Sequence, residues 1–447
     1  MLEDDQWKPV RLCDISSIKH GWAFKGEYMF EELTGKPILV NIGNFSYTGG
    51  FRFESTRTRE YRGEYPKEYE LKPGDILLAM TCQTSGGEIL GIPARVPDDG
   101  RVYLHNQRLG KVVVNNPEKV FPGFLYWLFL WKNFNAHLCA TATGTKILHT
   151  APNRIEEYAF LLPPINGQKN IARTLYAIDN KIQLNLSINA LLETVGEAVF
   201  KRWFVEFEFP NEEGKPYKSS GGEMVYNQEL GKEIPLGWQL TTLEKVAEFT
   251  RGFSYNGLEK STIEGDLVFM TLNSIYEGGG FKREFAYLTS NRLKDRHLLN
   301  EGDLIIPNTE QTKTGTLLGF PALVEFPNNY GKRVGCFSHH LTKVTPFNKE
   351  TKLYLFYYLH FNQVNAIKYH TGSVIWGLDV KGFIENEMIL IPNSEVLNAF
   401  SEFATQIFGK KLLNNKQSTT LSAMRDSLLP KLMSGKIRVP IEKQEAS

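Results

Sequence analysis

Two polar loops occupy equivalent places in the two halves of the chain, and their side chains suit the reading of nucleic-acid bases. The first loop, residues 81–87, contributes Gln83, Thr84 and Ser85. The second loop, residues 308–315, contributes Thr309, Glu310, Gln311, Thr312 and Lys313. Amide and hydroxyl groups offer paired donors and acceptors, which the recognition of base edges requires. A hydrophilic hairpin without a ligand is the alternative interpretation of both loops.

A second pair of candidates lies directly before an apolar strand in each half. The first half has Asn106, Gln107 and Arg108 there, and the second half has His339 and His340. Arginine matches guanine, and asparagine or glutamine matches adenine, so we predict contacts to bases or phosphates. Adjacent residues of a strand point to opposite faces, so the histidine pair is not expected to bind one metal ion.

Basic residues also recur at similar places in the two halves and are candidates for contacts to DNA phosphates. They are Arg52, Arg57, Arg59 and Arg62 in the first half, and Arg283, Arg292, Lys294 and Arg296 in the second. Solvated surface charge is the alternative. The whole chain has 51 Lys and Arg against 50 Asp and Glu, for a net charge of +1. This balance argues against binding by bulk phosphate neutralisation and favours local patches.

Motifs of catalysis are absent from the sequence. There is no phosphate-binding P-loop, dinucleotide-binding glycine motif, HExxH zinc motif or GxSxG elbow, and the four cysteines are widely scattered. The segment 162–165 lacks the acidic or amide residue and the aromatic of an amino-methyltransferase motif. We therefore predict no catalytic residues and no metal site. An N-terminus without an apolar core and the lack of any run of about 18 apolar residues favour a cytoplasmic location without membrane spans.

The two halves repeat each other at a spacing of about 228 to 231 residues. The glycine-aromatic segment 21–24 matches 252–255, and the Gly-Gly-Phe segment 49–51 matches 279–281. The Gly-Asp turn and apolar strand at 71–78 match 299–306. Further matches join 90–94 to 318–322 and 143–164 to 371–392. A collinear series over most of both halves indicates an internal duplication.

Each half begins with roughly 150 residues of short β-rich segments and then changes to helical periodicity. The first helix is predicted over 166–203, which would be about 57 Å long at about 1.5 Å per residue. The second is predicted over 394–432, with Pro430 ending or kinking its last turn. Two long helices with one apolar stripe each favour an antiparallel intramolecular coiled coil.

The seam of this predicted coiled coil becomes polar near both midpoints. The polar residues are Asn185 and Asn189 in the first helix, and Asn414 and Asn415 in the second. Buried polar residues in coiled coils can fix the register at some cost in stability, and we predict that role for these four. Side chains that simply face solvent are the alternative.

Several segments resemble the specificity subunits of type I restriction-modification enzymes. The likeness is carried by 161–172, 177–182 and 200–205 around the first helix, by 235–238, and by 421–437 at the end of the second helix. With the duplication, the resemblance covers essentially the whole chain. Gly167 and the segment 393–396 depart from the family pattern, which bears on local docking.

The resemblance implies an α+β fold with two target recognition domains, two long antiparallel helices and an approximate two-fold internal repeat. The expected divisions are recognition domain one at 1–164, helix one at 165–206, a linker at 207–235, recognition domain two at 236–392, helix two at 393–437 and a tail at 438–447. Each recognition domain is expected to read one half of a bipartite site in double-stranded DNA. The helices are expected to set the spacer and to dock two methyltransferase subunits.

The same resemblance implies that this chain binds no cofactor itself. S-adenosylmethionine would belong to the methyltransferase partner, and ATP and magnesium would belong to a restriction and translocase partner. The alternative function is a non-catalytic protein-binding scaffold with duplicated β-rich domains, which the near-neutral net charge favours slightly.

Overall fold

A computed structural model describes residues 7–54, 57–263, 266–310 and 314–439. The chain divides into two compact units. Unit one consists of Met1–Lys181 and Leu421–Ser447, and unit two consists of Ile182–Thr420. Both divisions fall inside long helices, so each long helix contributes one part to unit one and another part to unit two.

Unit one is built from short strands and three short helices that precede the first long helix. The strands are β1 (Lys8–Arg11), β2 (Ser16–His20), β3 (Met29–Phe30), β4 (Ile38–Val40), β5 (Arg59–Tyr61), β6 (Glu70–Leu71), β7 (Ile76–Ala79), β8 (Thr81–Cys82), β9 (Pro93–Arg95), β10 (Tyr103–His105), β11 (Leu109–Val114), β12 (Leu148–His149) and β13 (Ala159–Leu162). The helices are α1 (Pro122–Leu130), α2 (Lys132–Thr141), α3 (Pro152–Glu156) and the long α4 (Ile165–Phe200).

Unit two continues from α4 through a π-helical turn, Lys201–Val205. Its strands are β14 (Met224–Asn227), β15 (Lys232–Pro235), β16 (Gln239–Thr242), β17 (Ala247–Arg251), β18 (Lys260–Ser261), β19 (Leu267–Met270), β20 (Ala286–Leu288), β21 (Leu298–Leu299), β22 (Leu304–Pro307), β23 (Thr309–Glu310), β24 (Ala322–Leu323), β25 (Gly335–Phe337), β26 (Leu341–Pro346), β27 (His370–Thr371), β28 (Trp376–Leu378) and β29 (Met388–Ile391). Its helices are α5 (Thr351–Phe361), α6 (Gln363–Lys368), α7 (Val380–Asn386) and the long α8 (Ser394–Met433).

The two larger sheets of each unit have the same strand order. Unit one has a four-stranded sheet in the order β2-β11-β7-β9, and unit two has β17-β26-β22-β24. The five-stranded sheets are β3-β5-β4-β10-β6 and β18-β20-β19-β25-β21. In each five-stranded sheet one pair is parallel, β4 with β10 and β19 with β25, while the other pairs are antiparallel. The predicted internal repeat and α+β class are therefore confirmed.

The repeated Gly-Asp turn shows how matching sequence gives matching structure. Gly74 and Gly302 have φ of 84° and 85°, a left-handed conformation that favours glycine. The carboxylate of the following Asp75 accepts the amide of Lys72 at 2.8 Å, and Asp303 accepts that of Asn300 at 2.9 Å. Each turn then leads into a strand whose four residues are all buried, β7 or β22.

The long helices pack against each other within each unit. In unit two, Asn185 and Asn189 of α4 contact Gln417 and Asn415 of α8. In unit one, the guanidinium of Arg425 binds the carboxylate of Asp179 at 2.8 Å. Partner numbers in α8 fall as those in α4 rise, so the pairing is antiparallel as predicted. Pro430 lies inside α8, which continues to Met433.

The segment 207–235 differs from the predicted linker. It contains the antiparallel hairpin β14–β15, and Phe207, Phe209 and Tyr217 belong to the core of unit two or pack against it. Phe209 stacks on Tyr217 and on Trp238, with ring centroids 4.4 Å and 5.3 Å apart. Burial of these rings holds the polar, glycine-containing stretch between them against unit two, which the local composition did not indicate.

Candidate nucleic-acid interface

A tight turn follows the parallel strand pair in each unit and displays the second pair of candidates. Turn one, residues 106–108, joins β10 to β11, and turn two, residues 338–340, joins β25 to β26. A Cβ on Gly21 would lie 2.2 Å from the carbonyl oxygen of Asn106, and one on Gly252 would lie 2.3 Å from that of Ser338. Glycine at these two positions therefore lets a neighbouring chain segment press directly against each turn.

The aromatic residue after each glycine fixes the turn through its backbone. The amide of Trp22 donates to the carbonyl of His105, and the amide of Gln107 donates to the carbonyl of Trp22, both at 2.9 Å. In unit two, the amide of Phe253 donates to Phe337 at 2.8 Å, and the amide of His339 donates to Phe253 at 2.9 Å. The repeated glycine-aromatic motif thus holds both candidate turns in the same way.

Turn one opens onto a cleft of about 690 Å³ in unit one. The predicted base-reading residues on its lining are Gln83, Asn106, Gln107 and Arg108. The predicted phosphate-binding residues on the same lining are Arg52, Arg57 and Arg59. The structure therefore brings seven separately predicted residues of unit one into a single concave surface.

Most arginines beside this cleft are already paired with carboxylates. Arg52 and Arg57 both contact Glu54, at 2.6 Å and 3.2 Å, and Arg59 contacts Glu31 at 2.9 Å. Hydrogen bonding from Arg52 lowers the pKa of Glu54. Arg108 is exposed and has no carboxylate partner within the residues that the structure describes. Its guanidinium is therefore the cleft cation most available to a ligand.

The structure leaves three unit-one candidates outside the cleft lining. Arg62 contacts Glu32 at 3.4 Å and lies 4.3 Å from the ring centre of Phe30. Thr84 and Ser85 are exposed, and the hydroxyl of Thr84 donates to the carboxylate of Glu88. This contact lowers the pKa of Glu88 and fixes the loop locally.

The second polar loop is held by a buried carboxylate in unit two. Glu310 is 1% exposed and accepts the amides of Thr316, Leu317 and Leu318 at 2.9 to 3.1 Å. These bonds give Glu310 a role in the loop's own structure rather than in reading bases. Gln311, Thr312 and Lys313 lie outside the described residues. Thr309 is half-buried and contacts turn two.

The histidines of turn two do not point to opposite faces, so that expectation was wrong. The two rings face each other with centroids 3.9 Å apart and planes tilted by 39°. The expectation assumed a strand, whereas His339 and His340 form the turn itself. No group of three or more potential metal ligands was found in the described part of the chain.

The basic candidates of unit two differ sharply in their surroundings. Arg283 is 17% exposed at its side chain and binds Glu325 at 2.6 Å and Asn328 at 3.1 Å, so it belongs to the interior of unit two. Arg292 is exposed but contacts Glu259 at 2.5 Å. Lys294 and Arg296 are exposed, and Arg296 donates to His297 at 3.2 Å.

Comparisons with known proteins point to one family. A family model described as the type I restriction modification DNA specificity domain matches residues 4–194. The MjaIX specificity subunit of a type I restriction enzyme from Methanocaldococcus jannaschii is 28% identical over 71% of this chain and 69% of that protein. The HindI specificity subunit from Haemophilus influenzae is 20% identical over 96% of this chain and 99% of that protein. The chain belongs to the type I restriction-modification DNA specificity subunits.

A solved structure supports the fold of this specificity subunit. The crystal structure of a type I system S subunit from M. genitalium covers 97% of both chains with a TM-score of 0.58 and 15% identity. As a specificity subunit, the chain is a non-catalytic part of its complex. Across the described residues, no helix combines the length and apolar character needed to cross a membrane.

The four asparagines of the specificity subunit's helix seam contact one another in unit two. Asn185 donates to Gln417 at 3.0 Å, Asn414 donates to Asn189 at 2.8 Å, and Asn189 donates to Asn415 at 2.7 Å. Asn185, Asn189 and Asn414 are 1%, 8% and 3% exposed, so they do not face solvent. Their role in fixing the register remains a prediction.

Two residues on the cleft of unit one were missed from the sequence. Asn41 and Tyr47 both contribute to the lining, and Tyr47 is 57% exposed. Tyr47 lies in the turn that ends at the repeated Gly49-Gly50 pair, and the corresponding turn of unit two exposes Tyr276. An aromatic residue next to the conformationally special glycines of a repeated turn was the available signal.

Proposed function

We propose that this specificity subunit reads a bipartite site in double-stranded DNA, with one half-site bound by unit one and the other by unit two. The observation that carries the proposal is the repeated turn, which holds exposed or half-buried polar side chains at the same place in both units. The turns are rigidly fixed but differ in sequence, so the two half-sites would differ. Binding residues are often carried on loops that a rigid scaffold positions.

The cleft of unit one supplies both kinds of contact that sequence-specific binding needs. Arg108, Gln107 and Asn106 have the chemistry to read guanine or adenine in the major groove. Arg57 and Arg59 lie on the same lining and would position the duplex through its phosphates. A local cluster of this kind is compatible with a net charge of only +1 on the whole chain.

The catalytic partners would dock on the long helices. In unit two, α4 exposes an apolar stripe of Leu184, Ile188, Leu191 and Val195, spaced by four, three and four residues. Leu184, Leu191 and Val195 are 51%, 63% and 38% exposed. This spacing matches one face of a helix and suits packing against a partner helix. We assign it to one of two methyltransferase subunits.

In the assembled complex, other subunits would hold the cofactors. S-adenosylmethionine would be held by the methyltransferase subunits, and ATP and magnesium by the restriction and translocase subunits. The number of unread base pairs between the half-sites would be set by the helix pair, with the buried asparagines selecting its register.

The decisive experiment maps methylated adenines in cells that express the methyltransferase subunit with and without this chain. We expect one bipartite motif to be methylated only when both proteins are present. Methylation of that motif without this chain would contradict the proposal, as would the lack of any motif when both are present. The second outcome would favour the protein-binding scaffold instead.

Replacing Leu191 by glutamate should weaken assembly with the methyltransferase subunit by at least about tenfold, because a charge would enter an apolar helix interface. Phe347, 68% exposed outside the helices, provides the matched control Phe347→Glu. Co-purification and titration of the two subunits measure the effect. Equal assembly of Leu191→Glu and the control would place the docking surface elsewhere.

A further inference from the structure

The hydrogen bonds around turn two determine which ring nitrogen of His340 carries a proton. The side-chain nitrogen Nδ2 of Asn308 donates to the carbonyl of His339 at 3.1 Å and to the hydroxyl of Thr342 at 2.9 Å, so the side-chain oxygen Oδ1 of Asn308 is an acceptor. The hydroxyl of Thr309 donates to that oxygen at 3.0 Å. The Thr309 oxygen therefore accepts from Nδ1 of His340, 3.2 Å away.

This arrangement makes the second ring nitrogen of His340 a switch between two kinds of contact. With Nδ1 protonated, Nε2 of the neutral ring is an acceptor, which suits the amino groups of adenine or cytosine. In the imidazolium, Nε2 becomes a donor, which suits phosphate oxygens and the N7 and O6 atoms of guanine. Within the described residues, this Nε2 has no hydrogen-bond partner.

The surroundings of His339 and His340 oppose a positive charge on His340 in the absence of DNA. Burial lowers the pKa of His340, and His339 and Arg251 lower it further. Arg251 donates from Nε to the carbonyl of His339 at 3.1 Å. On the other side, the ring of Tyr255 lies 6.0 Å from that of His339, with the amine of Lys260 5.3 Å from the Tyr255 ring centre.

The carboxylate on the adjoining strand β23 is not among the charges that shift the pKa of His340. Glu310 follows Thr309 in β23, but its carboxylate accepts the amides of residues 316–318. A DNA backbone would bring the missing negative charge, because each phosphate carries one. Bound DNA would therefore stabilise the proton that the free protein disfavours.

Turn one has no side chain that gains or loses a proton in the physiological pH range. Its residues are Asn106, Gln107 and Arg108, and arginine stays charged throughout the physiological range. The preceding His105 is buried, and burial lowers its pKa to about 4 while its Nε2 contacts the carbonyl of Leu109. Turn one thus carries a permanent positive charge on Arg108, whereas turn two carries a positive charge only when His340 is protonated.

We propose that unit two takes up a proton at His340 when it binds its half-site, so that DNA binding by unit two depends on pH while turn one of unit one contributes no such dependence. This inference rests on the proposed function, because it assumes that turn two faces DNA. His340 would donate from Nε2 to a phosphate oxygen or to guanine.

The direction of the pH dependence follows from proton uptake. Bound DNA raises the pKa of His340 above its value in the free protein, so affinity is highest at acid pH. Affinity then falls as the pH rises from the free to the bound pKa. Between about pH 6 and about pH 8 we expect at least an approximately tenfold loss of affinity at constant ionic strength.

The test uses the full chain in complex with its methyltransferase subunits and a fluorescent duplex carrying the mapped motif. His340→Asn keeps an amide donor for Thr309 but has nothing in place of Nε2, and His340→Gln places a neutral amide near that position. Both variants should bind with little dependence on pH. The control is His360→Gln, which removes a histidine that contacts Glu197, 3.4 Å away on α4.

The outcomes separate this inference from the proposed function. A wild-type slope in both His340 variants, or a flat wild-type profile with specific binding, would overturn proton uptake and leave the bipartite reader intact. A loss of the slope in His360→Gln would also overturn it. No specific binding of the mapped duplex at any pH would overturn both proposals.

Discussion

Replacing Arg283 by methionine should destabilise unit two by about 3–5 kcal/mol, the range for breaking one partner out of a buried ion pair. Arg283 binds the carboxylate of Glu325 at 2.6 Å, and Asn415 of α8 donates to both oxygens of that carboxylate at 3.0 Å and 3.2 Å. Glu325 is only 5% exposed. The variant would leave a buried negative charge without its cation, and urea unfolding of unit two measures the loss.

The pH dependence of this loss identifies its cause. Burial raises the pKa of Glu325, and the Arg283 guanidinium opposes that rise. Without Arg283 the folded-state pKa moves further above the unfolded value, so a proton is bound more tightly by the folded protein. The loss of unfolding free energy in the variant should therefore be largest at neutral pH and should become smaller as the pH falls. A loss of unfolding free energy that does not change with pH would indicate lost packing instead.

Two further variants make this comparison specific. Arg292→Met removes an exposed arginine that also contacts a glutamate, and it should leave the unfolding free energy nearly unchanged. The double variant Arg283→Met with Glu325→Leu removes both buried charges and should recover most of the loss. If the double variant is as unstable as the single one, the buried charge of Glu325 is not the reason.

The architecture could be predicted from the sequence because the repeated motifs reflect the same backbone geometry in both halves. The Gly-Asp turns need positive φ at Gly74 and Gly302, and the glycine-aromatic motifs allow close backbone contact at Gly21 and Gly252. Such constraints restrict residue types locally, so they remain visible in both halves. The same applies to the helical periodicity that predicted the paired long helices.

The functions of individual charged residues depended on tertiary contacts and could not be read from spacing. Arg57 and Arg283 were predicted together as phosphate contacts, yet Arg57 lines an open cleft and Arg283 lies in a buried network. Nothing local distinguishes them, because Glu325 is distant in sequence from Arg283. Glu310 was similarly grouped with base-reading residues, although its carboxylate is used by amides of its own loop.

Hydrophobic burial also overrode local composition. The polar, glycine-containing segment 207–235 is typical of a linker, but Phe207 and Phe209 are each 3% exposed in the core of unit two. Burial of these two large apolar side chains favours packing of the segment onto unit two over leaving it in solvent. Isolated aromatics at the edge of a predicted linker are therefore the feature that indicates docking onto a domain.

Replacing Arg108 by alanine should remove discrimination at one base pair of the unit-one half-site, worth about 1–3 kcal/mol for a bidentate contact to guanine. Arg108 has no carboxylate partner among the described residues, so its loss leaves no buried charge behind. Methylation rates on the mapped motif and on each single-base substitution of that half-site measure the effect. We expect a lower rate on the motif and similar rates for all four bases at one position.

Arg57→Gln is the matched comparison on the same cleft, because Arg57 is predicted to contact phosphate. It should weaken binding to every sequence alike. The slope of log affinity against log salt concentration should fall in magnitude by about one, as expected for the loss of one phosphate contact. Arg108→Ala should instead alter sequence preference with a smaller change in salt dependence. If Arg108→Ala weakened all duplexes equally and changed the salt slope as Arg57→Gln does, Arg108 would be a phosphate contact, and base reading by turn one would fall to Asn106 and Gln107.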